Sequence, residues 1–279
     1  MRRSCKGLMQ ATDDPLCVWS NATLKSDFGT KSWKMCLYSN SKDFWVSRTI
    51  KQTGAWEANL VQLVLNTLKK HADSHPTLLD IGANIGYYTL AAARAGLHVE
   101  AFEPSLRNAE MLRQSLIVNR LEHHVKLHTF ALAPNTTTLR LGANAHNQGN
   151  LQHEHSSDAH LHQHGTHIAA MPLDSVMRVD DQRKPSFYLK MDVEGSECQV
   201  VRGMTHFLTR ARILGANLEM QAKTRTCCKT DGWTQTGGFF HTLHTKNSLC
   251  PFTKFHTRLP HWELACNETG PWDLVWKQC

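Results

Sequence analysis

Two groups of residues have the types and spacing to do chemistry. The first is Asp80-Ile-Gly82-Ala83-Asn84-Ile-Gly86, where an apolar run ends in a glycine turn and an alanine-rich apolar segment follows. A strand that turns sharply into a helix leaves the first N–H groups of that helix open, and glycines let a ligand approach the backbone. Glu103 closes the next apolar run, where an acidic side chain in a dinucleotide-type fold takes ribose hydroxyls. The fingerprint G-x-G-x-x-G is not met, because Asn84 stands where its second Gly would be, and this disfavours pyrophosphate. An Asp two residues before the first Gly suits a cationic ligand carrying an ammonium or sulfonium group.

The second group is Lys190, Asp192 and Glu194, at the carboxyl end of the apolar run "SFYLKMD". Open α/β sheets bind ligands at that edge, and three titratable groups within five residues mark a candidate active site. Asp192 is the first candidate for a general base, with Glu194 beside it and Lys190 orienting the pair. Lys190 would itself act as a base if burial lowered its pKa. The competing reading is that Asp192 and Glu194 only cap the helix that follows.

These residues need a scaffold, and the hydrophobic pattern supplies one. Leu60, Val61, Val64, Leu65 and Leu68 recur at helical spacing within 56–70. Strand 77–82, helix 86–95, strand 98–103, helix 105–119 and strand 125–133 then alternate as βαβαβ, which implies parallel strands with right-handed crossovers. Ser105 after Pro104 is placed to cap the second of these helices. A short hairpin is expected in 134–142. Strand 186–192, helix 195–210 and strand 212–220 resume the alternation, and an antiparallel pair is expected near 261–266 and 272–277.

The flanks differ from this core. Residues 1–53 mix Trp, Cys, Ser and Asn without periodicity and are expected to form an irregular or short-stranded lead-in packed on a main domain of 54–279. Residues 143–170 form a polar insertion that carries six histidines between 153 and 167: His153, His155, His160, His162, His164 and His167. Their irregular spacing reads as a solvated loop, and no metal site is expected there.

Composition sets outer bounds. The chain has 279 residues, 41% hydrophobic and 20% charged, which is ordinary globular composition for one α/β domain with additions. Its net charge of +7 is scattered, so a nucleic-acid partner is not expected. No apolar run is long enough to span a bilayer, and the basic start lacks the apolar stretch of a cleavable signal. The nine cysteines sit mainly in the flanks. With Cys198 read as an unpaired helix thiol, eight remain for four disulfides, with Cys227 and Cys228 in separate bridges. Disulfides and sequons at Asn21, Asn135 and Asn267 favour a secretory-pathway lumen or secretion over the cytoplasm.

Taken in order, D-I-G-A-N-I-G-Y-Y-T, A-F-E-P-S, L-D-S-V (173–176), K-M-D-V-E-G-S-E with V-x-R-G-M, and L-E-M (218–220) resemble the FkbM family of S-adenosylmethionine-dependent methyltransferases over about residues 54–245. The resemblance implies a class I methyltransferase (Rossmann-like) α/β fold. Its seven-stranded sheet is mostly parallel with an antiparallel last strand, and helices cover both faces. It implies O-methylation of a hydroxyl on a sugar, glycan or small metabolite, with S-adenosyl-L-methionine as cofactor. By position, Asp80, Gly82, Ala83, Asn84 and Gly86 would hold the methionine part, Glu103 the ribose, and Phe130 and Ala131 the adenine. Asp192 would face both cofactor and acceptor.

Two other readings compete. A nucleic-acid methyltransferase would be expected to carry an N/D-P-P-aromatic element after the fourth strand, where this chain has Asp192-Val-Glu194-Gly. A non-catalytic binding module that kept the fold should have lost one of Asp80, Glu103 and Asp192, since fold alone does not establish activity.

Overall fold

A computed structural model describes residues 16–27, 29–39, 42–43, 45–141, 166–179, 184–234, 237–253, 258–259, 266 and 273–279. The lead-in is more regular than its composition suggested. Strands β1 (Val18–Ser26) and β2 (Gly29–Leu37) form an antiparallel hairpin in register from Val18/Leu37 to Ser26/Gly29, and helix α1 (Val46–Thr53) follows. Ala22, Leu24, Trp33, Met35 and Leu37 alternate inward, a period of two that Cys and Ser had obscured.

Helix α2 (Ala58–Lys70) buries Leu60, Val61, Val64, Leu65 and Leu68, the predicted stripe. The core alternation follows as β3 (Thr77–Ile81), α3 (Tyr87–Arg94), β4 (His98–Phe102), α4 (Leu106–Asn119) and β5 (Val125–His128). Ser105 caps α4 by accepting a hydrogen bond from the Asn108 N–H.

The expected strand 125–133 is two strands. β6 (Ala131–Leu132) leaves the main sheet and joins a three-stranded sheet ordered β6-β8-β7, with β7 (Thr137–Leu141) and β8 (Thr166–Met171). The hairpin expected within 134–142 is therefore β7 with β8, and the polar insertion is shorter than expected because 166–170 is strand. Leu141 pairs with Thr166, so the chain leaves and returns at paired positions. His167 lies on β8, and the other five histidines of the tract fall outside the described residues.

Helix α5 (Leu173–Val176) leads to β9 (Ser186–Met191). The helix expected over 195–210 is broken into α6 (Glu197–Arg202) and α7 (Thr205–Arg210). At the break, a Cβ on Gly203 would lie 2.3 Å from the Ala133 carbonyl oxygen, so only glycine permits this approach. Then come β10 (Arg212–Glu219), α8 (Ala222–Thr230), α9 (Phe239–Asn247), β11 (Leu249–Thr253) and β12 (Asp273–Gln278).

The main sheet has seven strands in the order β11-β12-β10-β9-β3-β4-β5. β3, β4, β5, β9 and β10 are parallel, and β12 is antiparallel to both β10 and β11. β12 thus lies between β10 and β11, and the expected partner segment 261–266 lies outside the described residues except for Cys266. Pro251 sits in β11, which is tolerable because the strand is at an edge.

Each face of the sheet carries its own core. Leu78, Val99, Ala101 and Tyr188 pack with the hairpin and helices α2 to α4, whereas Leu79, Ile81, Leu189, Met191 and Ile213 pack with the later helices. No described helix is long and apolar enough to cross a membrane.

Four disulfides join Cys17–Cys36, Cys198–Cys227, Cys228–Cys266 and Cys250–Cys279. Cys198 is therefore not the unpaired thiol. Its helix α6 turns it toward α8, and the cysteine left over is Cys5, outside the described residues. Cys227 and Cys228 do fall in separate bridges.

Candidate functional site

The first turn is built by close backbone approach. At Gly82, φ is +78°, and a Cβ there would lie 1.8 Å from the Asp192 carbonyl oxygen. Gly86 has φ +89° and begins α3, where a Cβ would meet Leu112 Cδ1 at 2.2 Å. Asn84 also adopts positive φ, and its side-chain Oδ1 accepts from the Ile85 N–H at 2.7 Å.

The N–H groups of the turn residues that precede the helix are satisfied within the protein. Those of Gly82 and Ala83 both donate to the Phe102 carbonyl, and that of Gly86 donates to the Ala83 carbonyl. The Asn84 N–H donates to Glu103 Oε2 at 2.8 Å. With those donors spent inside the protein, residues 82–86 offer a ligand shape and nearby carboxylates.

Glu103 is buried, and its Oε1 accepts from the Ser105 N–H at 2.9 Å and from Asn108 Nδ2 at 3.4 Å. Burial pushes its pKa up to about 7, against the opposing pull of these hydrogen bonds.

Asp80, Lys190 and Asn217 stand in register on three adjacent strands, β3, β9 and β10. This polar row lies on the face shared with α2 and α3. Asp80 is fully buried. Its Oδ2 accepts from Thr89 Oγ1 at 2.6 Å, and its Oδ1 lies 3.5 Å from Lys190 Nζ. Lys190 Nζ donates to the Gly82 carbonyl at 2.6 Å and lies 3.7 Å from Asp192 Oδ2. Burial lowers the Lys190 pKa, but Asp192, Asp80, Glu57 and Glu103 together outweigh it and the net direction is up. Lys190 is therefore an ammonium, and the alternative that it serves as a base is corrected: four carboxylates surround the group that burial alone would have neutralised.

Two cavities open at this edge of the sheet. A slot of about 60 Å³ has Phe102, Glu103, Phe130, Ala131 and Leu132 in its wall. Phe102 and Phe130 pack edge to face with ring centroids 5.8 Å apart. A wider cavity of about 210 Å³ is walled by Ala83, Asn84 and Gly86 on one side and Lys190, Glu219 and Asp273 on another. Asn84, Asp192 and Glu194 line both cavities. Asp80 lines neither and touches the wider cavity's wall only through Lys190.

The structure thus brings Gly82, Asn84, Glu103, Phe130, Ala131, Lys190, Asp192 and Glu194 to one edge. It adds residues the sequence reading gave no role. Glu219 accepts, with Glu194, from Gln221 Nε2 at 3.0 and 2.7 Å. Carboxylate oxygens of Asp192, Glu194 and Glu219 lie within 4.8 Å of one another, close enough to hold a cation. Burial, reinforced by the charges of Asp192 and Glu194, lifts Glu219 to about 10, so it holds a proton at neutral pH. Glu57, in the left-handed region at the start of α2, accepts from the Tyr88 hydroxyl at 2.9 Å, and burial raises its pKa. Glu219 lies inside the L-E-M stretch, the one signal that could have flagged it.

The apolar slot with its buried carboxylate shares Asn84, Asp192 and Glu194 with a cavity rich in carboxylates. The profile of the Methyltransferase FkbM domain matches residues 80–232, more than half of the chain. Among solved structures, the methyltransferase FkbM of Methylobacillus flagellatus is 17% identical with a TM-score of 0.43, over 72% of this chain and 42% of that one. An rRNA methylase of Streptococcus thermophilus is 13% identical with a TM-score of 0.40, over 78% of this chain and 95% of that one. The 16S rRNA N2 G1207 methyltransferase of T. thermophilus, solved with AdoMet and guanosine, is 12% identical with a TM-score of 0.39, over 93% of this chain and 50% of that one. No curated protein matches. The chain belongs to the FkbM methyltransferase family, enzymes that draw their methyl group from S-adenosylmethionine.

Proposed function

We propose that this methyltransferase methylates a hydroxyl group on a small molecule or glycan, with Asp192 as the general base. The observation that carries this reading is the position of Asp192 at the junction of the two cavities, with Lys190 Nζ 3.7 Å away. In this reading the apolar slot takes adenosine, Glu103 meets the ribose and the wall at Asn84 and Gly86 borders the methionine part.

S-adenosylmethionine supplies a methyl group on a positively charged sulfur, a leaving group that needs no acid. The protein's task is alignment of oxygen, carbon and sulfur. With the cofactor bound, the hydroxyl that accepts its methyl group would lose its proton to Asp192. Lys190, held by Gly82 and Asp80, offsets the carboxylate charge and fixes its orientation. Glu194 shares Gln221 with Glu219 and so borders the same reacting space.

The test is a methyl-transfer screen over glycans, hydroxylated metabolites and RNA, with mass spectrometry of the product. An O-methylated product that disappears with Asp192→Asn is expected, and methylation of RNA bases would overturn the reading.

The four disulfides, with exposed sequon residues Asn21 and Asn135, support a secretory-pathway location as a further part of the proposal. Mass spectrometry of the unreduced protein from its native source tests it, since eight free thiols would remove the support.

A further inference from the structure

The outward face of the β1–β2 hairpin carries a motif that methyl transfer does not use. Asn21-Ala22-Thr23 is a sequon with no Pro between its Asn and Thr, the pattern of an N-glycosylation acceptor. Along β1 the side chains alternate: Ala22 and Leu24 are buried, whereas Trp19, Asn21 and Lys25 are exposed. Asn21 therefore projects into solvent from a regular strand that the Cys17–Cys36 disulfide ties to β2.

A second observation is independent of the sequon. Trp19 stands two residues before Asn21, so the two side chains leave the same face of β1 as neighbours. Trp19 is 46% exposed, although the face continues as polar cross-strand pairs, Asn21 with Lys34, Thr23 with Ser32 and Lys25 with Thr30. The Thr23 and Ser32 hydroxyls lie 3.1 Å apart. An indole in water on such a face gains from any apolar cover, and the C–H face of a pyranose ring attached to Asn21 would supply one.

We propose that Asn21 is N-glycosylated and that the first sugar of the glycan lies over Trp19. The donor is an oligosaccharide joined to a lipid through a diphosphate. Asn21 Nδ2 bonds to the anomeric carbon of the first sugar, and the bond from that carbon to the diphosphate oxygen breaks. Its electron pair leaves with the lipid diphosphate, and the amide proton passes to a base of the transferase. This inference rests on the secretory-pathway reading, since that is where such a donor is used. Neither Trp19 nor Asn21 lines either cavity of the candidate site. Asn135-Thr136-Thr137 serves as a comparison, a second exposed sequon residue with Ala133 in the place of Trp19.

The protein from its native source is first mapped by mass spectrometry without reduction, then treated with an N-glycosidase in heavy-oxygen water, which turns each glycosylated Asn into a labelled Asp. A labelled Asn21 is expected. Free thiols in place of the disulfides would sink the location reading itself, whereas an unlabelled Asn21 in a chain whose disulfides have formed would overturn the site. The sugar's place is tested on full-length chains secreted from cultured eukaryotic cells behind an added signal. With Asn135→Gln present, so that only Asn21 carries a glycan, its release should lower the thermal midpoint by about 2 °C. Trp19→Ser should abolish that shift, and with Asn21→Gln present the release from Asn135 should cause none that depends on Trp19. A shift of the same size with and without Trp19 would overturn the contact.

Discussion

The Gly82 Cα and the Asp192 carbonyl oxygen are so close that a methyl group on Gly82 would sit 1.8 Å from that oxygen. The ends of β3 and β9, which carry the two groups of candidate residues, are locked edge to edge by this contact. The Asp192 N–H completes the lock by donating to the Ile81 carbonyl at 3.1 Å. Gly82→Ala forces apart backbone that cannot yield and strains a positive φ. A loss of about 3 kcal/mol or more is expected in denaturant unfolding, together with loss of cofactor binding.

Lys190 neutralises Asp80, which is fully buried and has no other charged partner among the described residues. Lys190→Met should cost about 3–5 kcal/mol of stability, the usual result of stranding a buried charge. Adding Asp80→Asn, which keeps an acceptor for Thr89, should restore part of it. A double-mutant cycle in denaturant reads the coupling directly.

Glu103 gives a pH signature. Its folded pKa, about 7, lies above that of an exposed Glu, so the folded state holds an extra proton between the two values. Its contribution to stability is therefore full below about pH 4.3 and is lost as pH rises through about 7. Ribose hydroxyls prefer the ionised carboxylate, so cofactor affinity should rise with pH through about 7 and then level off. Glu103→Gln should flatten this profile in calorimetry run from acidic to alkaline pH.

Cys198 and Cys227 tie α6 to α8 across a separation of 29 residues. α6 follows Asp192 and Glu194, and α8 follows Glu219, so this bridge braces the two halves of the carboxylate cluster. Thr224 on α8, donating to Glu197 on α6, reinforces it. Replacing both cysteines by serine should cost about 2–4 kcal/mol in denaturant unfolding and raise the acceptor KM more than the cofactor Kd.

Much of the candidate site was legible because it is local. Asp80 to Gly86, Glu103 and Lys190 to Glu194 each lie in one strand-and-turn unit, where spacing fixes position. The far wall of the wider cavity was not, because Glu57, Asn217, Glu219 and Asp273 come from separate segments that only the order of strands brings together. Asn217 sits in an apolar run and reads as core until the row Asp80, Lys190, Asn217 is seen across three strands. The apparent strand 125–133 misled because its apolar pattern continues through Phe130 although the chain changes sheets. β11 was hidden by Pro251, which weakens a strand reading but is harmless at an edge.

Calorimetry of S-adenosylmethionine with the wild-type chain and with Phe130→Ala tests the central claim most directly, that the two cavities sharing Asp192 are a cofactor site. Saturable one-to-one binding by the wild type and binding at least about tenfold weaker by the variant, with circular dichroism confirming that the variant is folded, is the predicted result. Absence of binding to the folded wild-type chain, or unchanged affinity in the folded variant, would contradict it.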